Sequence, residues 1–146
     1  MNADIEVRHY KITGGDFKNA GSVSEEIKMI LDQMKYDTEI VRRACICLFE
    51  AEMNAVMYAE KAIVDFVATP QRIEIVVRDI GAGIPDINLA LQEGYSTATE
   101  AMREMGFGAG MGLPNIQKNT DIFEITSEVG KGTRLSIIIN AKQQVN

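Results

Sequence analysis

Residues 5–12, from Ile5 to Ile12, alternate apolar and polar side chains closely enough to predict a strand, and Gly14-Gly15-Asp16 breaks it. Ser22-Val23-Ser24-Glu25 has the spacing of a capping box ahead of Ile27, Ile30 and Leu31, which predicts a first helix to about Lys35. Asp37 can cap a second, longer helix through Ala59. Its Val41, Ala44, Leu48, Ala51 and Ala55 recur at steps of three and four residues, the pattern of one buried face. Two β-rich runs, 61–69 and 72–79, meet at Thr69-Pro70-Gln71, a connection short enough to make them an antiparallel pair. The segment from Gly81 to Gly112 then holds Gly81, Gly83, Gly94, Gly106, Gly108, Gly110 and Gly112, more than half of the 12 glycines in the chain. A helix from about Gly110 to Lys118 ends it. Strands 121–127 and 132–139 follow, turning at Gly130-Lys131-Gly132, and the polar tail 143–146 frays.

The order β-α-α-β-β-loop-α-β-β predicts an α/β fold. Its architecture is a two-layer sandwich in which a mixed, mostly antiparallel sheet carries the helices on one face. The whole of 1–146 reads as one domain. A glycine-edged loop this long inside a compact domain reads as a functional lid, here about 84–107.

Composition narrows the function. Lys plus Arg is 15 and Asp plus Glu is 21, so the formal charge of −6 argues against a nucleic-acid binder. It leaves room for a nucleotide, whose charge is met by a cation and by backbone N–H groups. Cys45 and Cys47 point about 200° apart on a helix and cannot bridge each other, so they read as small buried hydrophobes of a reducing compartment. With His9 the sole histidine, a zinc site lacks ligands. The polar, acidic start and the absence of a long apolar run predict neither signal peptide nor membrane segment, and a cytoplasmic chain.

Three constellations carry chemistry. Glu50 and Asn54 are four residues apart, hence one turn apart on one helix face. An Asn oxygen suits Mg²⁺, and a Glu suits removal of a proton; a solvated polar face would show the same spacing. Asp79-Ile80-Gly81-Ala82-Gly83-Ile84-Pro85 follows the apolar run Ile73–Val77. A carboxylate there accepts a hydrogen bond from an exocyclic amine such as that of adenine, and also simply opens a turn. Gly106-Phe107-Gly108-Ala109-Gly110-Met111-Gly112-Leu113 puts glycine at every second place just before a helix, with Pro114 in its first turn. Successive N–H groups there make an anion site, and a flexible linker is the plain alternative. Neither GxxxxGK[ST] nor a GxGxxG in a βαβ setting occurs.

Taken in order, Glu50-x-x-x-Asn54, Asp79-x-Gly81-x-Gly83-Ile84 and Gly108-x-Gly110-x-Gly112-Leu113 resemble the N box and two glycine boxes of the ATPase superfamily of gyrase, histidine kinases and MutL. Gly83-Ile84-Pro85-Asp86, Glu93-Gly94-Tyr95-Ser96-Thr97 and Gly112-Leu113-Pro114-Asn115 look most like its RsbT/RsbW-like branch, the anti-sigma-factor serine/threonine kinases. The resemblance implies ATP as substrate, with Mg²⁺, and transfer to a Ser or Thr of a STAS-domain antagonist. It implies Glu50 as general base and Asn54 as Mg²⁺ ligand. Asp79 would bind adenine beside Gly81, Gly83 and Ile84, with Thr133 assisting. Gly108, Ala109, Gly110, Met111, Gly112 and Leu113 would surround the phosphates. Some relatives carry an Arg within the second glycine box where this chain has Gly108, and Arg103 is a substitute; Thr99 to Met105 lengthens the lid. The partners implied are ATP and ADP, a STAS-domain antagonist or a sigma factor, and a second copy in a homodimer, with no nucleic acid and no membrane. A regulator-binding module with little catalysis and a stand-alone ATPase are the alternatives. A histidine kinase would need a phosphoacceptor helix pair that this chain does not supply.

Overall fold

The computed structural model describes residues 5–94 and 112–141. Strand β1 (Glu6–Thr13) leads through a short 3₁₀ turn, Phe17–Asn19, into α1 (Ser22–Gln33) and then α2 (Thr38–Tyr58). Strands β2 (Ala59–Ala68) and β3 (Arg72–Gly81) follow, then a single helical turn α3 (Ile87–Ala90). Helix α4 (Gly112–Asn119) precedes β4 (Ile122–Glu128) and β5 (Gly132–Asn140). The five strands form one sheet in the order β1-β2-β3-β5-β4.

Every pair in that sheet is antiparallel, so the expected mixed sheet is simpler than the sequence suggests. Hairpins join β2 to β3 and β4 to β5. Two long excursions separate paired strands: β1 to β2 carries α1 and α2, and β3 to β5 carries α3, α4 and β4 and brings β5 back antiparallel to β3.

Strict alternation decides which face is buried. Ala62, Val64, Phe66 and Ala68 of β2, Ile73, Ile75 and Val77 of β3, and Leu135, Ile137 and Ile139 of β5 all point inward. Helix α2 covers them with Val41, Ala44, Leu48, Ala51 and Ala55, the periodic face read from the sequence. The other sheet face is polar in its middle, where His9 Nδ1 lies 2.6 Å from Asp65 and Arg78 donates to the same carboxylate. That pairing holds the Asp65 carboxyl below its ordinary value. His9 is thus a surface residue of the sheet.

The start of α1 overturns the local capping expectation. Ser22 is the first helical residue rather than the cap, and Gly21 occupies the N-cap with φ 98° and no side-chain cap bond. The free amides are instead met from α2. Glu52 Oε2 accepts the N–H groups of Gly21 and Val23, and Oε1 accepts Ser24 N–H and Ser24 Oγ–H at 2.6 Å. A carboxylate at a helix N-terminus is also favoured by the helix dipole. Glu52 is 2% exposed, so it is a structural charge and not a surface one. Asp37 does sit at the N-cap of α2, but only its carbonyl is used, by Val41 N–H.

Candidate functional site

Helix α2 turns one face toward the sheet and another toward α4. On the second face Arg43, Cys47, Glu50 and Asn54 follow at steps of four, three and four, a helical ridge. Arg43 Nε donates to the carbonyl of Asn119 at the last turn of α4, and its other arm reaches Asp121 at 3.2 Å. The Cys47 thiol lies 3.7 Å from the Ile116 carbonyl, and burial pushes it up to about 12, so it is inert packing. Glu50 Oε2 accepts the Asn115 side-chain N–H at 2.9 Å. Asn54 comes next, and a side chain at Gly112 would place its Cβ 3.3 Å from Asn54 Oδ1 and 3.5 Å from Glu50 Oε1. The first residue of α4 therefore sits directly on the Glu50–Asn54 pair. Leu113, Pro114 and Ile116 are buried and press α4 onto α2. Leu113, expected near the phosphates, is a core residue through its side chain.

The other end of the site is built on strands. β3 runs on to Gly81, so Asp79 and Gly81 lie within it, two residues beyond the expected strand end. Asp79 Oδ1 accepts Thr133 N–H from β5 at 3.0 Å. No partner for its second oxygen occurs among the described residues. Desolvation raises the Asp79 carboxyl above its ordinary value, and the Thr133 N–H offsets part of that. Gly132 has to be glycine: a Cβ there would lie 2.1 Å from the Asp79 carbonyl oxygen. Gly83, at φ +77°, faces the same constraint, with the Glu128 carbonyl 2.4 Å from the Cβ position. Backbone bonds from Gly81 N to Lys131 O and from Gly130 N to Ala82 O tie the first glycine box to the final hairpin.

Ser127 closes this clamp. Its Oγ accepts Ile84 N–H at 2.7 Å, donates to Gly132 O at 3.1 Å and lies 2.8 Å from Thr133 Oγ1. The reading from sequence missed Ser127. Its signal is a polar residue in phase with Phe123 and Ile125 on the core side of β4. In the sequence Asn115 is only the last residue of the quartet Gly112-Leu113-Pro114-Asn115, which gives it no role.

The two ends meet through one turn of α2. Asn54 is four residues from Tyr58, and the Tyr58 carbonyl lies 3.1 Å from the Cβ position of Gly81. The cluster of Glu50, Asn54 and Gly112 is thus linked along α2 to the cluster of Asp79, Gly81, Gly83, Ile84 and Thr133. Gly108, Ala109, Gly110, Met111 and Arg103 lie outside the described residues, as do residues 95–107 of the segment expected to be a lid. The described part of the segment expected to be a lid contains α3, capped by Asp86 through Leu89 N–H at 3.1 Å.

Among the described residues no group of three or more His, Cys, Asp or Glu could hold a metal. The protein offers the neutral Asn54 oxygen, which suits Mg²⁺, an ion that keeps waters and takes substrate phosphates as ligands. No helix among the described residues is long and apolar enough to cross a membrane.

Comparison with known proteins identifies the family. The chain matches the family described as histidine kinase-, DNA gyrase B- and HSP90-like ATPase over residues 39–143, from α2 through β5. It is 27% identical over 113 residues to serine/threonine-protein kinase RsbT of Bacillus subtilis (strain 168), covering 75% of this chain and 79% of that protein. It is 35% identical over 96 residues to the anti-sigma F factor of Heyndrickxia coagulans, covering 66% of this chain and 59% of that protein. The chain belongs to the histidine kinase-, DNA gyrase B- and HSP90-like ATPase family, and within it is similar to the anti-sigma kinases.

Proposed function

We propose that this chain is an ATP-dependent serine/threonine protein kinase of the anti-sigma regulatory type, acting on a Ser or Thr of a STAS-domain regulator. The observation that carries the reading is the packing of Gly112, the entry to α4, onto both Glu50 and Asn54. Adenine occupies the strand end, where the second oxygen of Asp79 accepts its exocyclic amine and the Ser127–Thr133 pair supports the hairpin beside it. The phosphates run to the N-terminus of α4, whose amides and dipole favour negative charge. Asn54 is the residue that would hold Mg²⁺ together with the phosphates, and the ion would supply charge neutralisation on the transferred group. The acceptor hydroxyl gives its proton to Glu50 as its oxygen attacks the γ-phosphorus. The bond from phosphorus to the β–γ bridging oxygen breaks, and its electron pair leaves with ADP. The setting this fits is the cytoplasm, where ATP is present and free thiols such as Cys45 and Cys47 persist.

Glu50 has a role in transfer and none in mere binding, so two variants separate the readings. Asn54→Ala weakens Mg-ATP binding and with it turnover. Glu50→Ala keeps nucleotide affinity and loses on the order of 10²–10⁴ in rate. Calorimetry paired with labelled-ATP transfer to candidate STAS partners, or hydrolysis in their absence, measures both. A wild type without turnover under any of these conditions removes the kinase reading and leaves a nucleotide-regulated binding module.

A further inference from the structure

We infer that Asn115 is the positioning residue of the proposed general base: it fixes the Glu50 carboxylate and makes the orientation of that base a property of α4. The inference rests on the reading of Glu50 given above, and concerns a residue outside the three motifs.

The geometry divides the two carboxylate oxygens. Oε2 is engaged by the Asn115 amide at 2.9 Å. Oε1 is the oxygen near Gly112, 3.5 Å from where a Cβ would stand. One oxygen is therefore anchored and the other presented where α4 begins. A glutamate has three side-chain torsions, and an unanchored one spends most of its time away from any single reactive pose. An amide is the right anchor, because it donates a hydrogen bond while carrying no charge. A Lys or Arg in that place would pair with the carboxylate and weaken it as a base.

Asn115 is itself held in place. Its carbonyl accepts the Asn119 side-chain N–H at 2.8 Å. Its neighbours Pro114 and Ile116 are buried against α2. Arg43 grips the Asn119 carbonyl at 3.1 Å, and Cys47 underlies Ile116. Asn115 lies three residues after Gly112, so the helix that starts at the phosphate loop also carries the donor that aims the base. A displacement of α4 would misplace phosphate contacts and base together.

The test measures Mg-ATP turnover, nucleotide affinity and thermal unfolding for wild type, Asn115→Ala, Asn115→Asp, Asn115→Gln, Glu50→Ala and the double variant Glu50→Ala/Asn115→Ala. Asn115→Ala and the isosteric Asn115→Asp, which lacks the donor, should lower kcat on the order of 10–100-fold. Nucleotide affinity and melting temperature should stay near wild type. Asn115→Gln, which keeps an amide, should recover part of the rate. In the Glu50→Ala background, Asn115→Ala should cost nothing further, because there is no carboxylate left to aim. An Asn115→Asp variant as fast as wild type overturns the inference. So does an Asn115→Ala loss that is as large without Glu50 as with it, which would mark a structural role. If Glu50→Ala alone turns over at the wild-type rate, the base assignment itself falls, a result distinct from either of those. A wild type without turnover removes both.

Discussion

Asp79 shows how one side chain serves two structures. Its Oδ1 accepts the Thr133 N–H, while its other oxygen has no partner among the described residues and is the one proposed to meet adenine. Its burial is costly: desolvation raises its carboxyl above the ordinary value in the folded chain. A raised folded value means that its stabilising contribution is complete below the unfolded carboxylate value and is lost as pH rises through the folded one. At pH 7 the charged Asp79 therefore weighs against the free protein. Asp79→Asn keeps an acceptor for Thr133 and removes the charge. It should unfold at a higher temperature than wild type at pH 7, and the difference should vanish below about pH 4. The same variant should lose about tenfold or more in ATP affinity, since a buried polar contact is then mismatched. Thermal melts across pH, with calorimetry at pH 7, check both. A variant that binds ATP as well as wild type removes Asp79 from the adenine site.

At the scale of elements, α2 is the organising piece because its faces do different work. One covers the sheet, a second holds α4 and a third reaches α1 through Glu52. The first was legible in the sequence, since the burial period of Val41, Ala44, Leu48, Ala51 and Ala55 follows from helix geometry alone. Glu50 and Asn54 were legible for the same reason: their four-residue spacing fixes their common direction. The cap of α1 was not, because local spacing pointed to Ser22 and Glu25, while the acceptor lies some thirty residues away on another helix. Ser127 and Asn115 were missed on the same ground, since each acquires its role only when hairpin or helix is docked. Glu52→Ala should lower folding stability by about 3 kcal/mol, because three amides and the Ser24 hydroxyl lose their acceptor in a dry site. Glu52→Gln, which keeps one oxygen, should cost less. Urea unfolding midpoints give both values. Mg-ATP affinity of the folded protein should change little, because Glu52 faces away from the Glu50–Asn54 side. A large affinity loss would show that α1 docking shapes the site.

Across the whole molecule, the candidate site joins pieces that are far apart in sequence. Asp79 and Gly81 come from β3, Ser127 and Thr133 from the last hairpin, Glu50 and Asn54 from α2, and Gly112 and Asn115 from α4. A ligand that touches all four binds the native state and has no comparable site in the unfolded chain. Its binding free energy is then added to folding stability by mass action, about 2.7 kcal/mol at a concentration a hundredfold above the dissociation constant. For a domain of this size each kcal/mol moves the melting temperature by a few degrees, so saturating Mg-ATP should raise it by roughly 5–10 °C. GTP at the same concentration should raise it far less, because guanine presents a carbonyl where adenine presents an amine, and Asp79 would face an acceptor. The shift should shrink in Asn54→Ala and in Asp79→Asn, which lie at opposite ends of the candidate site. It should persist in Glu50→Ala, where only the proposed proton acceptor is lost. Differential scanning fluorimetry over a nucleotide titration measures every arm. Equal shifts with GTP and ATP would place the base outside the Asp79 clamp, and a shift abolished by Glu50→Ala would make that carboxylate a binding group instead of a base.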